Sequence, residues 1–153
     1  MAVTIRTDDL TASPTLALVT AHLTDMHAQT PVESVHALGI HELRDPSVVF
    51  WSAWAGDRIA GIGALKQLET GDGEIKSMRV DDAFRGTGVG RAVLRHIISH
   101  AKIEGMPRLW LETGSTASFL PARSLYASEG FMRCEPFGDY QRDPRSVFMT
   151  RGL

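Results

Sequence analysis

Three glycines fall within five residues, Gly86, Gly88 and Gly90, in the stretch RVDDAFRGTGVGRAVLRHIISHA that runs from Arg79 to Ala101. A strand pattern precedes them. Behind them Val93, Leu94, Ile97, Ile98 and Ala101 recur at helical spacing on one side. A strand, a glycine-rich turn and a helix start together make an anion site. The first N–H groups of a helix have no partner inside it. The helix dipole adds partial positive charge at the same end. Glycine permits positive φ and lets a phosphate approach the backbone closely. Arg85 and Arg91 flank the turn and are expected to add formal charge. Two familiar phosphate motifs do not fit. G-x-G-x-x-G needs glycine where Arg91 stands, and a P-loop needs Lys then Ser or Thr where the chain has Arg91-Ala92. A tight strand–helix turn without a ligand is the plain alternative.

The rest of the chain alternates strands and helices. Val3–Arg6 reads as a strand. Ser13 is expected to cap a helix with Pro14 in its first turn, and Thr30-Pro31 to end it. ESVHALGIHEL, from Glu33 to Leu43, reads as a shorter helix interrupted at Gly39. VVFWSAWAGDRIAGIGALKQLE reads as a hairpin turning at Ala55-Gly56-Asp57, followed by a strand over Glu74–Val80. Beyond the glycine turn and its helix come the strand RLWLET and the helix PARSLYASEGF, with Gly130 at its end. Two last strands, MRC and SVFMT, are joined by the loop EPFGDYQRDPR. This order predicts a mixed α/β domain with one large sheet, a single domain over residues 1–153.

Bulk properties narrow the function classes. A net charge of −2 gives no electrostatic argument for nucleic acid. No apolar run is long enough to span a bilayer. The start, MAVTIRTDDL, lacks a charged segment followed by an apolar one. A lone cysteine, Cys134, excludes an internal disulfide and suits a reducing compartment. The chain is therefore expected to be cytoplasmic, without membrane or nucleic-acid partners.

RGTGVG, from Arg85 to Gly90, resembles the R/Q-x-x-G-x-G/A signature of the GCN5-related N-acetyltransferases, the GNAT superfamily. The strand ending in Met78-Arg79-Val80, the amphipathic helix and SLYASEGF supply the context that makes this short signature specific. DGEIKSM, LETGS and the SVFMT tail resemble a bacterial subgroup acting on small substrates. The resemblance implies a GNAT fold: a mixed, mostly antiparallel sheet of about six to seven strands with a splayed central pair, flanked by about four helices. It also implies acetyl-CoA as cosubstrate, with no metal. The pyrophosphate would sit on Arg85, Gly86, Thr87, Gly88, Val89, Gly90 and Arg91. The pantetheine arm would pair with the backbone of Met78, Arg79 and Val80.

An alkyl ammonium has a pKa near ~10.4, so an amine nucleophile needs help to lose its proton at pH 7. Glu74 matches the position of the base in some family members and is the first candidate. Pairing with Lys76, two residues on, is its structural alternative. Glu112 is the second candidate; a hydrogen bond to nearby backbone is its alternative. Tyr126 matches the family tyrosine that hydrogen-bonds the departing sulfur. His36 and His41 lie where the family builds its acceptor pocket. His96 and His100, four apart on a helix, are expected on a solvated face, because no third metal ligand is apparent. Cys134 is expected to be a buried strand residue, not a nucleophile. Trp51 and Trp54 should face opposite sides of their strand. In the last loop Phe137, Tyr140, Arg142 and Arg145 suit recognition, and its arginines could read a carboxylate. The expected reaction is direct acetyl transfer to a primary amine of a small molecule, an amino acid or a derivative being one possibility. A protein lysine or N-terminal acetyltransferase and a non-catalytic acyl-CoA-binding module are the alternatives. A monomer and a homodimer are both compatible with the sequence.

Overall fold

The computed structural model describes residues 2–30 and 38–153. Seven strands form one sheet: β1 (Thr4–Thr7), β2 (Val48–Ala55), β3 (Arg58–Gln67), β4 (Gly73–Val80), β5 (Arg108–Gly114), β6 (Met132–Cys134) and β7 (Ser146–Gly152), in the order β1-β2-β3-β4-β5-β7-β6. Among the described residues four helices accompany them: α1 (Ser13–Gln29), α2 (Ile40–Leu43), α3 (Val89–Ile103) and α4 (Leu120–Ser128). This is the mixed, mostly antiparallel architecture the sequence predicts.

Every neighbouring pair is antiparallel except β4 and β5, which α3 joins as a crossover. Their parallel ladder has only three pairs, Gly73 with Leu109, Glu74 with Trp110 and Ile75 with Leu111. Past Ile75 the two strands part. β4 continues on β3 as far as Val80 opposite Gly61, while β5 pairs along its whole length with β7. The splayed central pair is thus present.

Strands β2 and β3 are buried along most of their length because both faces are covered. One core lies under α3, where Val93, Leu94, Ile97, Ile98 and Ala101 meet Trp51, Ile75, Leu109 and Leu111. Each such buried aliphatic side chain contributes roughly 1.5–3 kcal/mol. Gly63 lets α3 come close: a Cβ there would stand 2.8 Å from Val93 Cγ1. The second core lies under α1 and α2 and gathers Leu10, Leu18, Val19, Leu43, Phe50 and Ile62.

Three local expectations change. Ser13 is not the cap of α1 but its first residue. Ala12 caps the helix, and its carbonyl already accepts from Leu16 N–H at 3.1 Å. The described part of the second helix is one turn, Ile40–Leu43, capped by Gly39. Residues 33–37 of that expected helix, His36 included, lie outside the described residues. The first strand runs over Thr4–Thr7, one residue later than expected. Trp51 and Trp54 do face opposite ways. Trp51 packs in the core under α3, while the Trp54 indole donates to Ser52 Oγ, which lies beside Asp8 on the other side.

Candidate active site

The glycine turn is built from both ends. Asp81 caps a short 3-10 turn, Asp82–Phe84, by accepting from Ala83 N–H at 3.0 Å, and buried Phe84 anchors it. Thr87 Oγ1 donates to the Phe84 carbonyl at 2.5 Å. Gly86 and Gly88 have φ of +74° and +89°, the left-handed region that favours glycine. A Cβ on either would meet nothing within 4 Å, so their outer side is open. Gly88 is the N-cap of α3 and offers no side chain to the first N–H groups of the helix. The third glycine has another reason: a Cβ at Gly90 would stand 3.3 Å from Val80 Cγ2 and 3.4 Å from Leu125 Cδ2. The flanking arginines are engaged. Arg85 pairs with Asp82 at 2.8 Å, and Arg91 with Glu129 at 2.8 Å; Glu129 also holds Arg95.

Next to this turn the gap between β4 and β5 opens. Beyond Ile75 no residue of β4 pairs with β5: Arg79 and Val80 pair with β3 on the other edge, Met78 lies in a register shift, and β5 pairs with β7. The β5-facing edge of β4 therefore offers backbone groups to an extended ligand, as an added strand would take them. The side chains leave this edge clear. Met78 lies toward α3, with its sulfur 3.0 Å from where a Gly63 Cβ would stand. Arg79 reaches Asp25 of α1 at 2.7 Å. His22, half-buried, has its pKa pushed down to about 4 by burial first and by the charge of Arg79 second, so its imidazole is neutral at pH 7. Ser77, at the mouth of the gap, has a φ of +55°. A non-glycine residue held there stores strain of about 1–3 kcal/mol.

Acid–base groups gather on the face of β4 and β5 away from α3. Tyr140 of the 135–145 loop donates to Glu74 Oε2 at 2.6 Å. Lys76 Nζ donates to the Tyr140 oxygen at 2.8 Å and to Glu74 Oε2 at 3.3 Å. Glu74 and Lys76 side chains are only 6% and 10% exposed, and Tyr140 is half-buried beside them. Burial pushes the Tyr140 hydroxyl above its ordinary pKa, and the Glu74 charge adds to it. The loop holds the triad shut with aromatic rings: Phe137 meets Trp110, Tyr140 and Phe148 at centroid distances of 5.2, 5.0 and 5.9 Å.

Glu112 lies on β5 where the strands part. Its partner is the Ser146 hydroxyl at 2.9 Å, a side chain where backbone was expected. Burial raises its pKa to about 7, against the opposing pull of the Ser146 hydrogen bond and Lys76. The Tyr126 hydroxyl on α4 is also buried, and its pKa is pushed up by burial and then by the Glu112 charge. That phenol remains a hydrogen-bond donor across the working pH range. The raised pKa of Glu112 sets a stability slope. The folded state keeps its proton more tightly than the unfolded chain, so the contribution is fully present below the ordinary glutamate pKa. It is lost as pH rises through about 7. Between pH 5 and pH 8 the melting temperature of the wild type is therefore expected to fall a few degrees further than that of Glu112→Gln, as a thermal melt at each pH would show.

Residues 16–131 match the acetyltransferase (GNAT) family. The chain belongs to the GNAT family. YsnE of Bacillus subtilis, named an uncharacterized N-acetyltransferase, is 56% identical over 149 residues, 97% of this chain and 99% of its own. YedL of Escherichia coli, named in the same way, is 48% identical over 150 residues, 98% of this chain and 94% of its own. The structure of a Bacillus subtilis acetyltransferase in complex with CoA superposes over 99% of both chains, with a TM-score of 0.71 at 20% identity, and shares the fold.

Elsewhere in this GNAT chain, the face of α3 that carries His96 and His100 is only partly solvated. They are half-buried against the edge of Trp51, with ring centroids 5.6 and 5.0 Å away. Cys134 is half-buried, and burial raises its thiol pKa, which disfavours the reactive thiolate. His41 is exposed on α2. Arg142 is exposed and pairs with Glu135. Among the described residues no three His, Cys, Asp or Glu side chains are grouped to hold a metal ion, and no helix is long and apolar enough to cross a membrane. The sequence carries no signal for Ser146 or Ser77, and Tyr140, expected in recognition, has no sequence mark that joins it to Glu74.

Proposed function

We propose that this GNAT enzyme is a cytoplasmic, single-domain N-acetyltransferase that moves acetyl from acetyl-CoA to a primary amine of a small molecule, by direct attack in a ternary complex. The observation that carries this reading is the ladder between β4 and β5, which stops at Ile75 and Leu111, one residue before Glu112, whose pKa burial raises to about 7. The Gly86–Gly90 turn and the unpaired edge of β4 fit the phosphates and the arm of the cosubstrate. When bound, acetyl-CoA supplies an acyl group activated as a thioester.

Glu112 accepts the proton that the acceptor ammonium must lose. From a pKa of ~10.4 to one of about 7 this transfer is uphill by about 5 kcal/mol, against about 8 for an ordinary glutamate. Burial of Glu112 thus removes a large part of that cost. Glu74 is the alternative acceptor, but its Oε2 is already bonded by Tyr140 and Lys76. Its role in this reading is to fix that wall of the pocket. Tyr126 donates a hydrogen bond to the sulfur as it leaves. Full transfer from an ordinary tyrosine to a thiolate is uphill by roughly 2 kcal/mol, and its raised pKa makes the hydrogen bond the better description.

The shut loop over Glu74 supports a small acceptor. With purified protein, CoA release is expected from one class in a panel of small amines, with and without a carboxyl group. Release from peptide lysines or N-termini alone would overturn the small-molecule reading. With the best acceptor, kcat/KM should rise with pH through an apparent pKa near 7, because only ionised Glu112 accepts a proton. Glu112→Gln should lose that limb and roughly 10²–10⁴-fold in rate. An unchanged limb would return the role to Glu74.

A further inference from the structure

Ser77 is burdened twice. Its φ of +55° lies where glycine is favoured. Its hydroxyl oxygen is buried and has no hydrogen-bond partner, a rare condition for a polar side chain. Glycine would relieve both at once. The position is also special. Ala64 pairs with Lys76 and Ile62 with Arg79, so Gly63 alone faces Ser77 and Met78, and β4 bulges there. Met78 uses the bulge to pack toward α3. Ser77 lies two residues beyond Ile75, the last residue of β4 that pairs with β5. Its neighbours Glu74 and Lys76 already have partners in the Tyr140 triad. Ser77 keeps an unused side-chain donor just past the last β4–β5 pair; Arg79 Nε, on the side chain that Asp25 holds, is the other buried donor without a partner among the described residues.

We propose that the Ser77 hydroxyl donates a hydrogen bond to the carbonyl oxygen of the acyl group being transferred, and so helps hold the charge that grows there as the amine adds to the carbonyl carbon. This rests on the reading above that acetyl-CoA lies between β4 and β5. The hydroxyl keeps its proton throughout, so no bond to serine forms or breaks. A donor fixed in a dry site before the reaction starts does not have to reorganise when charge develops.

Ser77→Gly is the main test, since glycine suits the backbone and removes the CH2OH group; Ser77→Ala, which removes the hydroxyl alone, is the second variant. Isotope-edited infrared spectra of acetyl-CoA carrying ¹³C at the carbonyl should show its stretch at lower wavenumber on the wild type than in water. Both variants should lose that shift. Calorimetry should show acetyl-CoA affinity falling roughly 2- to 10-fold, the range for one hydrogen bond, while affinity for CoA, which lacks the acyl group, holds. The kcat should fall about 10²–10³-fold, as for other single donors of this kind. A carbonyl stretch in Ser77→Gly that matches the wild type, with kcat within two-fold, overturns the role of Ser77 alone. Wild-type protein that does not bind acetyl-CoA overturns the cosubstrate reading and the Ser77 role together.

Discussion

Tyr126→Phe is expected to lower kcat by about 10²–10⁴-fold, the range for a positioned proton donor, while acetyl-CoA affinity changes little. The variant is a clean one. The Tyr126 ring packs edge-on against Phe131 at 5.9 Å within the core, and phenylalanine keeps that contact. Only the hydroxyl is removed. Because Tyr126 is buried beside the charge of Glu112, its proton is held firmly, and it can serve a leaving sulfur without ionising first. Steady-state kinetics with the best acceptor, together with calorimetry on acetyl-CoA, separate the two effects. A kcat within a few-fold of wild type would make Tyr126 a core aromatic and nothing more.

The second large effect belongs to Gly88→Val. Gly88 carries a φ of +89° at the start of α3, and nothing of the protein stands near the place of its missing Cβ. Valine would therefore act in two ways. It would strain the turn by about 1–3 kcal/mol, which a folded domain tolerates. It would also put methyl groups over the N–H groups that the turn presents. Acetyl-CoA affinity should fall at least about 100-fold, close to 3 kcal/mol, while circular dichroism still reports a folded protein. Calorimetry giving wild-type affinity in a folded variant would remove the phosphate cradle. At Gly90 the same substitution would test something else, because a side chain there would press on Val80 and Leu125.

What could be read from the chain followed from how local each feature is. The buried face of α3 was legible because five apolar residues repeat at helical spacing, and the β2–β3 turn because Ala55-Gly56-Asp57 sits between two strand patterns. The turn before α3 was legible as a glycine turn, since Gly86 and Gly88 adopt positive φ; the anion site read there belongs to the proposal above. The splay of β4 from β5 came from the family resemblance; no spacing marks where a ladder of three pairs will stop. The Ser77 bulge left no trace, since serine is an ordinary strand residue and gives no warning of a left-handed backbone. Ser13 was misplaced by one residue because the Ala12 carbonyl can accept the first helical bond without a side-chain cap. The tie between Tyr140 and Glu74 joins residues 66 positions apart and depends on how the last loop folds back over the sheet. Nothing in a helix pattern reveals that Trp51 of β2 lies beside the histidines of α3.

The three-pair ladder between β4 and β5 makes this sheet two plates on a short seam. One plate is β1 to β4 and the other is β5, β7 and β6. Backbone hydrogen bonds do little to fasten one plate to the other; the fastening is the oily layer under α3, which touches Trp51, Ala60 and Ile75 on one plate and Leu109, Leu111 and Met149 on the other. Such a joint rests on side-chain packing and not on a ladder of backbone bonds. A ligand laid along the seam would lock it as a splint does, and its grip would add to the unfolding free energy of both plates at once through mass action.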